Sequence, residues 1–306
     1  MLKIELTVLA VSTLSVPTLA QRMAQPSPAA LVKQTVGVTD ITVTYSRPQL
    51  RGRTAFGPDS TSARKYGQLW RTGANAATTI EFSTDAMIEG QPLPAGKYSL
   101  FSLPNATEWT VIFNKNASTS EANYKQTEDA LRVNVKPTLS APKIDAVLFW
   151  FTNLSDSTAT LNFGWDTAQI PLRLMVNTSG MVEKNVLEAV AAKPEDADVL
   201  RNAADYNLSK GKNLDQAMAW ADKSIQLKET FRNVWTKAQI FAKLGKYADA
   251  MPLAQKALQI GQGDPIFPFL KGGIESAMSG WKSKLPSVDD AKKMIPGRKK
   301  KSSSQS

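Results

Sequence analysis

The sequence predicts two domains of different class, an all-β antiparallel sandwich over residues 31–176 and an all-α helical-repeat domain over 181–284. Three observations carry this. From Leu31 onward, short runs of alternating apolar and polar residues follow one another, separated by turn residues and with no helical periodicity between them. At Asn177-Thr178-Ser179-Gly180 the period changes, and Val182, Val186, Leu187 and Val190 recur at helical spacing. Beyond that point two similar segments, AMAWADKSIQL from Ala217 and AMPLAQKALQI from Ala250, lie 33 residues apart.

Taken in order, residues 1–20 read as an export signal: Lys3, a mostly apolar run from Leu6 to Val16, and a small-residue ending at Pro17-Thr18-Leu19-Ala20. Cleavage is expected after Ala20, with Ala24 as the second choice. The apolar run is shorter than the roughly 20 residues that a bilayer span needs. Residues 21–30, with Pro26 and Pro28, form a polar lead-in.

In the sandwich, Ile41, Val43 and Tyr45 alternate with Thr42 and Thr44 as in a half-buried strand. Further strands are expected at Thr78–Phe82, Tyr98–Leu103, Trp109–Asn114, Leu131–Lys136, Ala146–Phe151, Thr158–Trp165 and Ile170–Val176. Glu89-Gly90, Pro94-Ala95-Gly96 and Pro104-Asn105 supply turns between them.

The first helix of the second domain is expected to break at Lys193-Pro194. Gly211-Lys212 and Gly245-Lys246 precede the two similar segments and lie 34 apart, so the first copy carries one extra residue. A period of 33–34 resembles the tetratricopeptide repeat, with Ala238, Phe241, Gly245, Tyr247, Ala250 and Ala257 at its small and aromatic packing positions. A last helix within Pro265 to Lys284, with Phe267, Leu270, Ile274 and Trp281, is expected to cap the stack. Residues 285–306 read as a basic tail, solvated and disordered, with Arg298, Lys299, Lys300 and Lys301 in series.

Composition excludes several chemistries. The chain has no cysteine and no histidine, which rules out disulfides and thiol nucleophiles and removes the commonest general base near neutral pH. A serine–histidine–aspartate triad cannot be assembled within it, and no metal site or cofactor is expected. The formal net charge is +10, but residues 22–176 hold 15 basic and 12 acidic residues, too even a balance for a nucleic-acid surface.

The polar residues that stand out lie between Ser46 and Phe82. Arg47, Arg51, Arg53 and Arg71 offer planar, permanently charged forks suited to carboxylates or phosphates. Trp70 offers a face for a sugar ring or an arginine, and Asn75 a donor and an acceptor. The candidate ligand-binding residues are therefore Arg47, Arg53, Trp70, Arg71 and Asn75. A second reading stands beside it: the same arginines bond nearby carbonyls and acids and organise the ends of the sandwich. Catalysis without histidine would need paired carboxylates from Glu81, Asp85, Glu89, Glu108 and Asp166, or Tyr45 with Arg47.

The strings Thr44-Tyr45-Ser46-Arg47-Pro48 and Trp70-Arg71-Thr72-Gly73-Ala74-Asn75-Ala76-Ala77-Thr78-Thr79 carry a family resemblance, together with Gly52-Arg53, Phe56-Gly57, Leu93-Pro94-Ala95-Gly96 and Glu108-Trp109-Thr110. Over most of residues 27–176 the chain resembles the exported bacterial family known as domain of unknown function 2911. That resemblance implies the sandwich, export and a helical segment behind the sandwich; it implies no activity. The chain departs from the family pattern in two places. Residues around Ser120-Glu121-Ala122-Asn123-Tyr124 replace a Gln-Trp-Gly lead-in, and Trp165-Asp166 stands where the family has Trp-Glu.

The expectation is an exported envelope protein that binds rather than catalyses. A peptide or protein partner would lie on the helical repeats, and a small anionic or glycan ligand on the β domain. Two repeats and a cap make a short array, which is expected to pack against the β domain or against a second copy of the chain. The competing reading is a histidine-independent enzyme acting on envelope glycans or uronates.

Overall fold

The computed structural model describes residues 24–285. The expected export signal over 1–20, the start of the lead-in at 21–23 and the basic tail from 286 lie outside the described residues. Within them the chain divides into two compact units, with the boundary between Thr178 and Ser179.

The first unit is built from β1 (Ala29–Val36), β2 (Thr39–Ser46), β3 (Phe56–Gly57), β4 (Arg64–Lys65), β5 (Thr79–Phe82), β6 (Ala86–Ile88), β7 (Gln91–Leu93), β8 (Gly96–Leu103), β9 (Trp109–Asn114), β10 (Asp129–Val135), β11 (Thr138–Thr152) and β12 (Thr158–Val176). A six-stranded antiparallel sheet runs β1-β2-β5-β8-β9-β10, and a four-stranded one runs β11-β12-β6-β7. Ile41, Val43, Ile80, Leu100 and Phe113 of the larger sheet share one core with Val147, Phe149, Leu161, Phe163 and Leu172 of the smaller. The period-two pattern is the cause: each strand turns one set of side chains inward, and full burial of each stabilises by about 1.5–3 kcal/mol.

The β1–β2 turn requires Gly37. Its φ is 58°, and a Cβ there would come within 2.5 Å of the Asp156 carbonyl oxygen.

Two expectations about strands change. Thr158–Trp165 and Ile170–Val176 are one strand, β12, bent at Asp166, which sits at φ 57° beside register shifts in β11. The first half of β12 pairs with β11 and its end pairs with β6, so the bend lets one strand serve both partners. In the sequence the hairpin β6–β7 shows only its turn: Glu89 and Gly90 take φ 49° and 78°, and strands of three residues are too short for periodicity to register. Pro92 is tolerated because β7 lies at the edge of its sheet.

The second unit contains α1 (Thr178–Ala192, whose first residue precedes the boundary), α2 (Ala197–Lys210), α3 (Leu214–Leu227), α4 (Phe231–Lys243), α5 (Tyr247–Ile260) and α6 (Phe267–Lys282). α2 packs on α3 and α4 on α5 through alanines with no exposed surface, Ala204, Ala217 and Ala221 in the first pair and Ala238, Ala254 and Ala257 in the second. Small side chains let the two backbones approach. Asp196 caps α2 by accepting from the Asp198 and Val199 N–H groups, and Gly211 ends it at φ 63°. Thr230 and Asn233 form a capping box on α4.

The extra residue of the first copy lies in the connection between α2 and α3. Lys212 and Asn213 separate Gly211 from α3, whereas Lys246 alone separates Gly245 from α5; Asn213 takes up the difference at φ 49°. The last helix differs from a cap with a polar outer face. α6 buries Phe267 and Ile274 and stacks Trp281 on Trp235 at 5.4 Å, but Phe269 is 84% exposed.

Candidate functional site

The chain leaves the larger sheet after β2 and rejoins it at β5, and the intervening residues 47–78 contain the singled-out arginines. This connection is tied to both sheets. Leu50 N–H donates to the Asp145 carbonyl and Val147 N–H to the Pro48 carbonyl, so Pro48–Leu50 lies against β11. Further on, Trp70 and Ser102 exchange both backbone hydrogen bonds, extending β8.

The side chains serve the same end. Arg47 Nε donates to the Val147 carbonyl at 2.9 Å, and the Tyr45 hydroxyl accepts from Phe149 N–H at 3.3 Å. Tyr45 and Arg47, the pair considered for proton abstraction, thus both hold the backbone of β11. Arg53 donates to the Leu50 and Gln49 carbonyls, and Arg51 to Pro26. Asn75 donates to the Ser27 carbonyl at 2.9 Å.

Trp70 is 1% exposed. Its indole stacks on Trp165 at 5.7 Å, meets Phe56 edge-on and donates Nε1–H to the Gly73 carbonyl. It has no face open to a sugar ring, so the stacking role expected of it is corrected to a core role.

Arg71 is held by Glu121, whose Oε1 accepts from Arg71 N–H at 3.0 Å and from Nε at 3.1 Å, while Arg64 reaches Oε2 at 3.4 Å. Arg71 also donates to the Asn75 carbonyl. Burial acts to raise the Glu121 carboxyl, but the Arg71 hydrogen bonds and the two guanidinium charges outweigh it and hold its pKa below the ordinary value.

Nearby, the Tyr124 hydroxyl donates to Asp129 at 2.6 Å and accepts from Arg132 at 2.8 Å. Burial and the Asp129 carboxylate push this phenol up to about 12, out of range for a base near neutral pH.

The candidate carboxylates are dispersed. Glu81 and Glu108 are exposed, and Asp85 accepts from Ala95 N–H. Glu89 binds the Arg173 guanidinium through Oε2 at 2.9 and 2.7 Å and its N–H through Oε1 at 2.6 Å. Asp166 is buried; it accepts from Ala55 N–H at 3.1 Å, and the Lys143 ammonium stands 3.0 Å from its other oxygen. Glu121 and Asp166 therefore supply carboxylates that pin the connection between β2 and β5.

A cleft of about 500 Å³ opens in the second unit between α1, α2 and α3, lined in part by Leu187, Tyr206, Asn207, Asn213, Asp215 and Trp220. It exists because α1 buries none of its residues, leaving Leu187 54% exposed and Val186 half-buried. At its rim Lys212 pairs with Glu183 at 2.6 Å and lies over the Tyr206 ring at 5.6 Å from its centroid. The Glu183 hydrogen bond holds the Lys212 ammonium above its ordinary value. Among the described residues, no group of three or more acidic side chains is placed to hold a metal ion.

The connection and its arginines were legible in the sequence; the cleft was not. Asn207, which stands where the second copy has Phe241, and Asn213, the extra residue of the first copy, both line it.

A model of the family described as "Protein of unknown function (DUF2911)" matches residues 27–174, which lie within the first unit. No curated protein matches the sequence.

Proposed function

We propose that this is an exported, non-catalytic binding protein whose ligand sits in the helical unit and whose β unit is scaffold. The observation that carries the reading is the contrast between the two polar regions. The arginines of the β unit spend hydrogen bonds on local carbonyls and on Glu121, whereas the cleft beside α1 presents Leu187, Tyr206 and Trp220 with apolar surface uncovered. Apolar walls with a few polar groups are the usual composition of a binding cleft. The paired helices, related by a shift of 33–34 residues, are tetratricopeptide-like, and stacks of that kind commonly bind peptides or proteins.

Export belongs to this reading. The sequence of residues 1–20 supports it, and the mass of the protein recovered from an envelope fraction tests it, with cleavage after Ala20 as the expected result.

The binding reading is tested by recording amide and indole nitrogen–proton spectra of the labelled mature chain against peptides, envelope glycans, uronates and phosphorylated sugars. Shifts confined to Leu187, Tyr206 and Trp220 are expected. Shifts at Arg47, Arg71 and Asn75 instead would return the ligand to the β unit and overturn the proposal.

A further inference from the structure

Asn207 and Phe241 hold the same place in the two helical pairs, four residues before Gly211 and Gly245 respectively. The second pair fills that place with an aromatic ring. The first pair puts a short amide there, and that residue lines the cleft. Asn213, the residue the first copy has in excess, lines the same cleft. Two independent departures from the repeat thus converge on one concavity.

Asn207 is only 4% exposed, yet its amide is poorly used. Its nitrogen reaches the Asn213 carbonyl at 3.5 Å, the limit of a hydrogen bond, and its Oδ1 accepts none among the described residues. The side-chain atoms of Asn207 are not among those sealed from solvent without a partner, and the residue lines the cleft, so its amide is open to that space. A side-chain amide offers one acceptor and two donors, and the group that satisfies both sides of it is another amide, such as a peptide unit.

The walls narrow the choice further. Val186, Leu187 and Trp220 offer aliphatic and aromatic surface for a bulky apolar side chain. At the mouth Glu183 is matched by Lys212, whereas Asp215, in the first turn of α3, forms no ion pair among the described residues and keeps a carboxylate beside the apolar walls.

We infer that the cleft takes a peptide segment whose backbone amide pairs with Asn207, whose bulky apolar side chain lies among Val186, Leu187 and Trp220, and whose adjacent lysine or arginine faces Asp215. This rests on the helical unit being the ligand-bearing part, and it adds the chemistry of the partner.

The test uses the full mature chain and fluorescein-labelled, end-blocked hexapeptides with Leu-Lys, Leu-Glu or Ala-Lys at the centre, read by anisotropy. The Leu-Lys peptide is expected to bind at least tenfold more tightly than the other two. Asn207→Phe, which installs the residue of the second copy, should abolish binding, and Asp215→Asn should erase the preference for Leu-Lys over Leu-Glu. Because Asn207 is buried and its variant can misfold, Leu187→Arg at the exposed rim serves as the second block of the cleft.

Equal binding of the three peptides by the native chain overturns the inference, as does unchanged binding in both Asn207→Phe and Leu187→Arg. If glycans bind and Leu187→Arg blocks them while no peptide binds, the inference falls and the helical-unit reading stands. If peptides bind regardless of either cleft variant, the inference falls together with the assignment of the ligand to this cleft.

Discussion

One oxygen of Glu121 accepts two hydrogen bonds from Arg71, one from its backbone N–H at 3.0 Å and one from Nε at 3.1 Å. The carboxylate thereby fixes the chain direction at Arg71 as well as the side chain. Its pKa lies below the ordinary glutamate value of 4.5, so the stabilisation is present above pH 4.5 and is lost as pH falls through the lower folded value. Glu121→Gln should therefore lower stability at pH 7 by about 1–2 kcal/mol, with the gap to the native chain closing below pH 4.5. Urea midpoints at pH 3.5, 5 and 7 check this; a gap independent of pH would assign the effect to packing.

Asp166 combines a left-handed backbone with a buried carboxylate that holds Ala55 N–H and faces Lys143. Asparagine tolerates the same φ better than alanine does. Asp166→Ala should cost about 1–3 kcal/mol by leaving Ala55 N–H without its acceptor, and Asp166→Asn should cost less. Equilibrium unfolding followed by tryptophan fluorescence reads both, since Trp165 is adjacent and stacked on Trp70.

In the helical unit Asn233 is 1% exposed and donates to Ser224 Oγ at 3.0 Å and to the Lys228 carbonyl at 2.8 Å, while its Oδ1 accepts from Thr230 N–H. It ties the end of α3 to the start of α4. Asn233→Ala removes all three bonds, and a loss of about 1–3 kcal/mol is expected, seen as an earlier helical transition by circular dichroism.

Deleting Asn213 would give the first helical pair the connection of the second. Gly211 supplies the left-handed cap in both designs, so helical content should be retained. The cleft loses one of its lining residues, and peptide affinity should fall at least tenfold by anisotropy.

How much of this was legible follows from where the signals are local. β2 and β9 appear in the sequence because alternation along a single strand reports burial, and Trp109–Asn114 is recovered residue for residue. β6 and β7 are three residues each and carry no period. The kink in β12 depends on two partners far apart in sequence, β11 and β6, so Asp166 reads as a break between strands. The arginines were conspicuous as residue types, but their partners are non-local: Val147 is 100 residues from Arg47 and Glu121 is 50 from Arg71. Sequence alone therefore left binding and scaffold roles open. The cleft was hidden for a different reason: its lining runs from Glu183 to Trp220 across three helices, and no period along a single helix reports such a surface.

The most direct test of the division of labour between the units is one thermal-shift series on three chains, with the Leu-Lys peptide at a hundredfold excess over its dissociation constant. Binding at that excess stabilises the native state by about 2.7 kcal/mol. Arg71→Ala should begin from a lower melting temperature than the native chain and show the same upward shift on adding peptide. Leu187→Arg should begin from the native melting temperature and show no shift. The reverse pattern, with the shift lost in Arg71→Ala and kept in Leu187→Arg, would contradict the account and place the ligand among the arginines of the β unit.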